Sequence, residues 1–407
     1  MIIISHPTGN ENVRNAALAM LEGRILDGIW TCVGWSDRHI ASRVLPKVCR
    51  KTLNRRLLPE QLMSKARYLP FVEMMRLGFA RVTRGNANFF PFGIDDVYRS
   101  LDRSVAREIR ATKSASAVYC YEDGACETFR SARERNLRTL YELPMGYWRA
   151  WHSILQEEVL SNPEWAQTLQ GQHDSDEKLA RKDAELATAD HIFVASSFAR
   201  SSIKCAPKSG AEVHQVRYGA SQAIPRNLVT RKHDVLRILF VGALTQRKGI
   251  SYLFEAVKKF KRNVKVTLIG RLTHRDCAAL NHELREHHWL ESVPHERVLE
   301  VMRSHDILVF PSLFEGYGLV ISEAMSQGLP VITTPNTAGP DLVTHGRDGF
   351  IVPIRSSGAI AEKLELLIMK PHLIADMKQA ALQSSAAFSW AKYRSKLLEE
   401  LQTCALQ

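Results

Sequence analysis

From Leu236 onward, short apolar runs alternate with helical patterns. LRILFV (236–241), VKVTLIG (264–270), DILVFP (306–311), PVITT (330–334) and GFIVPI (349–354) read as strands. Between them lie stretches such as GISYLFEAVKKFKR, in which Leu253, Ala256, Val257 and Phe260 fall at helical spacing. A chain that alternates in this way builds parallel βαβ units with helices on both faces of the sheet. Ligands of such sheets bind outside the carboxyl ends of the strands, where loops enter helices.

The first half repeats the style less regularly. MIIIS, AVYCY (117–121), LYELP (140–144), HIFVASS (191–197) and HQVRYG (214–219) read as strands, and SDEKLARKDAELATA (175–189) as a helix. A chain of 407 residues is too long for one core, so two α/β domains facing a cleft are expected. The polar stretch 221–234, which contains Pro225, divides them into 1–225 and 226–385, and 386–407 is a terminal amphipathic helix.

Composition narrows the setting. No apolar run approaches the ~20 residues that cross a bilayer, and MIIIS has no basic segment before it, so it reads as a strand and not as a signal peptide. Seven scattered cysteines without a C-x-x-C pair fit reduced thiols in a cytoplasmic protein. The net charge is +12, and twelve Lys and Arg against two acids lie between Arg38 and Arg84. This is either a solvated basic face or a contact for something anionic. The interleaved apolar residues of RVLPKVCRKTLNRRLLP favour peripheral contact with an anionic membrane or a lipid-linked acceptor over nucleic acid, for which no motif is present.

FEGYGLVISEAMSQGLPV (314–331) carries the sharpest signal. A strand ends, a loop with Glu315, Gly316, Tyr317 and Gly318 follows, and Leu319 opens a helix that Gly328 and Pro330 close. The N–H groups from Gly316 to Leu319 stand at a helix N-terminus and suit a phosphate. Glu323 follows Glu315 by eight positions, at most roughly 12 Å along the helix. One elongated ligand with a sugar, a diphosphate and a ribose could span the two carboxylates. Taken alone, the pair also fits an acid at a helix dipole and a solvated mid-helix glutamate.

This stretch resembles the E-x7-E motif of retaining glycosyltransferases of the GT-B fold, family 4. The resemblance is strong over most of 236–355, through ILFVGALTQRKGISYLFEA and HDILVFPSLFEGYGLVISEAMSQGLPVITTPNTAGPDLVTHGRDGFIVP. It is weaker in SHPTGNENVRNAAL, VYRSLDRSVA, ADHIFVASSFAR and VRYGA. It implies two Rossmann-like domains with a final helix, from FSW at Trp390, crossing back to the first. It implies a hexosyltransferase that takes a UDP-, GDP- or ADP-linked sugar to a glycan or lipid-linked acceptor, without metal or cofactor. By the same resemblance Glu315 lies at the donor sugar, Glu323 holds the ribose, and Lys248 with Arg247 neutralises the diphosphate. Gly242, Gly316, Tyr317, Gly318 and Leu319 complete the donor site, and Gly9 and Asn10 approach its phosphates. Two positions depart from the family. Ala243 follows Gly242 where an arginine is common, so Arg247 would take over that charge. Tyr119 and Tyr121 stand where histidines are common; Tyr121, Glu122 and Asp123 are then candidate acceptor contacts, or simply loop residues after a strand.

Two imitations are set aside. DSD (174–176) opens a helix, where acids are expected at the first turn. HELREH (282–287) spaces its histidines one residue too far for a zinc helix motif. Two rivals stay open: a nucleotide-sugar epimerase of the same fold, and a non-catalytic carbohydrate- or lipid-binding relative.

Overall fold

The computed structural model describes residues 1–35, 56–82, 93–112, 114–169, 174–220, 235–260 and 262–405. The interdomain stretch 221–234, most of the basic region (38–55 and 84) and Cys49 lie outside these residues.

The first sheet has seven parallel strands: β1 (Ile2–Ser5), β2 (Leu26–Thr31), β3 (Ala66–Tyr68), β4 (Ala117–Tyr121), β5 (Arg138–Leu143), β6 (His191–Val194) and β7 (Glu212–Gln215), in the order β3-β2-β1-β4-β5-β6-β7. The second has six: β8 (Leu236–Val241), β9 (Val264–Ile269), β10 (His288–Leu290), β11 (Ile307–Phe310), β12 (Val331–Thr333) and β13 (Gly349–Ile351), in the order β10-β9-β8-β11-β12-β13. In each sheet the strand order reverses beside its first strand, which opens a crevice at the carboxyl edge. β1, β4 and β11 are buried along their whole length, as strands covered on both faces must be.

Sequence and structure differ at three strands. β2, β3 and β10 were not expected. LDGIWT carries an acid and a glycine inside β2, and the other two strands have three residues each, too few to show a period. β7 ends at Gln215 and not at Gly219; beyond it Val216 and Tyr218 are buried while Arg217 is exposed and donates to Asp341 O.

The final helix, Trp390–Ala405, returns to the first sheet and lies along the helix Glu11–Glu22. A Cβ on Gly23 would come within 2.2 Å of Leu398, and Arg394 reaches Asn15 at 3.0 Å and Glu22 at 2.9 Å. A segment of the first half crosses the other way. Helix Trp148–Ser161 and the turn after it bury Trp151, Leu155 and Trp165 in the core of the second sheet. Among the described residues no helix is long and apolar enough to cross a membrane, and none of the six described cysteines forms a disulfide.

Candidate active site

The loop after β8 and the loop after β11 are held together by their backbones. Leu313 N donates to Arg247 O at 2.9 Å, and the Ser312 hydroxyl donates to the same carbonyl at 3.1 Å. Gly249 makes this approach feasible. Its φ is +67°, and a Cβ there would sit 2.0 Å from Pro311 O. The pairing delivers three side chains to one point. Arg247 Nη1 donates to Glu315 Oε1 at 3.0 Å, Ser312 Oγ does so at 3.0 Å, and Lys248 Nζ pairs with the same oxygen. Burial alone would raise the Glu315 carboxyl, but Lys248 and then Arg247 hold it below the ordinary carboxylate range, so it is anionic near neutral pH. Burial lowers Lys248, with Glu315 acting in the opposite sense. The Lys248 ammonium also lies 4.9 Å from the centre of the Phe310 ring.

Helix Leu319–Ser326 begins beside this cluster. Gly318 caps it with φ +82°, a conformation open to glycine, and Gly328 closes it at φ +71°. The first-turn N–H groups have no intrahelical carbonyl to reach. Lys248, Glu315, Tyr317, Gly318 and Leu319 all line one cavity of about 210 Å³. Its opposite wall comes from the first half: Asn12, Pro144, Met145 and Tyr218. The two halves touch here without room to spare. A Cβ on Gly316 would lie 1.8 Å from Pro144 O, Ser196 Oγ donates to Gly316 O, and Tyr317 OH donates to Tyr218 O at 2.9 Å.

The other candidates take different places. Arg247 sits behind Glu315, tied to Phe314 O at 2.8 Å, and does not line the cavity. Glu323 lies further along its helix, 3.9 Å from His295; burial raises its carboxyl, with His295 opposing and Glu11 of the first half adding to the rise. Gly242 (φ +152°) lets the loop after β8 pass Gly270, where a Cβ would sit 1.7 Å from Gly242 O. Gly9 turns the chain after β1 at φ +54°, and the Asn10 side chain caps helix Glu11–Glu22 by accepting from Val13 N at 3.1 Å. The cavity residue of that loop is Asn12, whose Oδ1 is buried without a hydrogen-bond partner. Nothing in the sequence separates Asn12 from Asn10; only the helix start does.

Tyr121, Glu122 and Asp123 do not meet this cavity. Tyr121 is buried edge-on to His6, and Glu122 and Asp123 pair with Lys182 at 3.0 and 3.3 Å. Tyr119, at the first of the two family histidine positions, donates to Glu142, as does Tyr218. Burial pushes Glu142 up to about 7, against the pull of these two hydroxyls; Tyr121 and Tyr393 stand nearby with theirs unpaired. A carboxyl raised in the folded state binds protons there that the unfolded chain does not. Stability is therefore expected to fall as pH rises from about 4.5 to 7, by roughly 3 kcal/mol from this group. Urea midpoints of wild type and Glu142→Gln across that range test this; equal slopes in the two would refute it.

Of the two imitations, Ser175 of DSD caps helix Asp176–Ala187 and Asp174 pairs with Lys178 at 2.8 Å. His287 of HELREH stacks on Phe254 and follows the end of the helix at Glu286, so it does not share a helix face with His282.

Residues 226–384 match the family model described as glycosyl transferases group 1. The match covers well under half of the chain. An uncharacterized glycosyltransferase of Methanocaldococcus jannaschii is 32% identical over 142 residues, 33% of this chain and 36% of that protein. The phosphatidyl-myo-inositol mannosyltransferase of Mycobacterium leprae is 28% identical over 174 residues, 41% and 46% of the two chains. The matches thus span less than half of these relatives. Solved structures extend the likeness to the whole length of the chain. Sucrose-phosphate synthase of Thermosynechococcus elongatus has a TM-score of 0.69 at 15% identity, covering 99% of this chain and 98% of that one. Anabaena HepE, solved with UDP and glucose, has 0.64 at 16%, covering 99% of each. The fold is GT-B: two parallel-stranded α/β halves with the final helix returning to the first.

Proposed function

We propose that the protein is a retaining glycosyltransferase that moves a hexose from a nucleoside-diphosphate sugar to an acceptor. The observation that carries this reading is Glu315, an anionic buried carboxylate gripped by Lys248 and Arg247 at the mouth of a helix N-terminus. Charge builds on the diphosphate as the sugar leaves it. Lys248 and the first-turn N–H groups of Gly318–Val320 supply fixed positive potential for that charge, at no reorganisation cost. Glu315 accepts hydrogen bonds from sugar hydroxyls, and Glu323 from the ribose. The first-half wall, Asn12 with Pro144 and Met145, faces the acceptor side. No metal enters this scheme.

A UDP-sugar is the first donor to try, since HepE was solved with UDP and glucose. Thermal stability with UDP-, GDP-, ADP- and dTDP-sugars tests the reading. A donor at ~100 times its dissociation constant adds about 2.7 kcal/mol. One nucleotide class is expected to raise the melting temperature by several degrees, and no response to any class would overturn the donor site.

For the acceptor we favour a lipid-linked molecule at an anionic membrane. Arg56 and Arg76 are committed to the buried Glu73, which takes them out of the basic face expected from the sequence. Helix Phe71–Val82 nevertheless exposes Phe71 (73%) and Met74 (52%) beside Tyr68, an apolar patch next to basic chain. Sedimentation with anionic liposomes at low and high salt is expected to show binding that Phe71→Ser weakens. Absence of binding at both salt concentrations would remove the membrane from the proposal.

A further inference from the structure

A second cluster of chemically capable side chains lies outside the cavity lining, where the final helix meets the outer edge of the first sheet. Phe193 of β6 pairs with His214 of β7, and His191 pairs with Glu212. Glu212 and His214 stand two positions apart and so point to one face of this edge strand. The last turn of helix Trp390–Ala405 sets Cys404 against them. His191 Nδ1 lies 3.1 Å from His214 Nε2, and Cys404 Sγ lies 3.4 Å from the same nitrogen. Glu212 Oε2 is 3.7 Å from both His191 Nδ1 and His214 Nε2. The three atoms of His191, His214 and Cys404 all fall within 4.8 Å of one another. It is the one such group of three or more among the described residues.

The separations of 3.1, 3.4 and 3.7 Å about His214 Nε2 lie close to those of a tetrahedral shell. Zinc–nitrogen bonds of about 2.0–2.1 Å and a zinc–sulfur bond of about 2.3 Å place ligand atoms roughly 3.3–3.6 Å apart. The outer contacts fit as well. Glu400 Oε2 accepts from His214 Nδ1 at 2.9 Å, which fixes the tautomer and leaves Nε2 with its lone pair toward Cys404 and His191. Burial, with His214 next in order, keeps His191 below its ordinary value, so its ring is neutral. Burial, with the acids Glu212 and Glu400, pushes the Cys404 thiol up to about 11. The thiol therefore holds its proton until a cation arrives.

We propose that His191, His214 and Cys404, with Glu212 as fourth ligand, bind a zinc-type divalent cation that fastens the final helix to the first sheet. On binding, the Cys404 thiol proton leaves to solvent, the His191 ring proton moves from Nδ1 to Nε2, and the metal takes the freed lone pairs. Calcium and magnesium take about six or more oxygen donors; two imidazoles and a thiolate select zinc or a similar ion. The role is structural. The site joins residues about 190–213 positions apart, and none of its residues lines the transfer cavity.

The test uses the full chain, stripped with a chelator, dialysed, and titrated with Zn²⁺ and separately with Co²⁺. One equivalent of zinc is expected, with a rise of several degrees in melting temperature. Cobalt is expected to give a thiolate-to-metal charge-transfer band. Cys404→Ser is expected to lose that band, and both Cys404→Ser and His191→Gln to weaken zinc binding by at least ~100-fold. Glu400→Gln is expected to weaken it by about 10–100-fold through the His214 tautomer. Cys404→Ser replaces one atom and His191 is partly exposed, so melting of the stripped variants near that of stripped wild type establishes that they fold. Failure of wild type to bind one equivalent, or zinc binding unchanged in both variants, would overturn the site.

Discussion

Glu315→Ala is expected to lower sugar transfer by at least ~10³-fold while nucleoside-diphosphate binding survives or tightens. On the proposed function, the loss follows from removing the carboxylate assigned to the donor sugar, in a site where single charge-stabilising groups contribute about 10²–10³-fold. The retained binding follows from the ion cluster. Glu315 is the shared partner of Lys248 and Arg247, so without it Lys248, which lines the cavity, turns to the diphosphate unopposed. Lys248→Ala is expected to do the reverse, weakening donor binding and turnover together. The alanine variant also leaves two buried cations unpaired, at a cost of about 3–5 kcal/mol, so the exchange does not spare the fold as an exposed glutamate would. Glu315→Gln keeps the shape and separates the two effects. Transfer rates and the thermal response to UDP in the three variants provide the measurement. Full transfer by Glu315→Ala would remove it from the reaction.

Glu158→Ala is expected to destabilise the second half by about 3–5 kcal/mol, although residue 158 belongs to the first half of the sequence. Glu158 is fully buried on helix Trp148–Ser161. Its Oε1 accepts from Gln246 at 2.7 Å, Asn162 at 2.8 Å and Tyr252 at 2.9 Å, and its Oε2 from Arg355 Nε at 2.8 Å. Alanine removes the acceptor shared by Gln246, Asn162, Tyr252 and Arg355, of which Gln246 and Tyr252 are buried. For a unit of 150–250 residues this corresponds to a fall of roughly 10 °C in melting. Gln246 adjoins Arg247 and Lys248, so donor binding is expected to weaken as well. Calorimetry of wild type, Glu158→Ala and Glu158→Gln decides; a fall below ~2 °C in the alanine variant would show that the network contributes little.

Much of the scaffold was legible because strands buried on both faces write themselves as unbroken apolar runs. β8, β11 and β12 lie within a residue or two of where their runs predict, and Gly318 and Gly328 bound their helix as the turn chemistry requires. What stayed hidden was contact between distant segments. Glu158 reads as one more acid on an amphipathic helix. Asn12 reads as the neighbour of a capping asparagine. Arg56 and Arg76 read as surface charge, until Glu73 is found between them.

The sequence by itself determined the alternation of strand and helix, the glycine-bounded helix entrance at 318–319, and the presence there of an acid with a basic pair one loop away. Each of these is a local matter: a residue's period, its φ, its spacing from a neighbour. Only the tertiary structure decided that one carboxylate oxygen of Glu315 takes Lys248, Arg247 and Ser312 together, that Asn12 and Pro144 close the cavity from the other half, and that Cys404 meets His191 and His214. Those choices depend on which loops two twisted sheets bring to a common edge and where the last helix comes to rest. Packing sets both, and no window along the chain contains them.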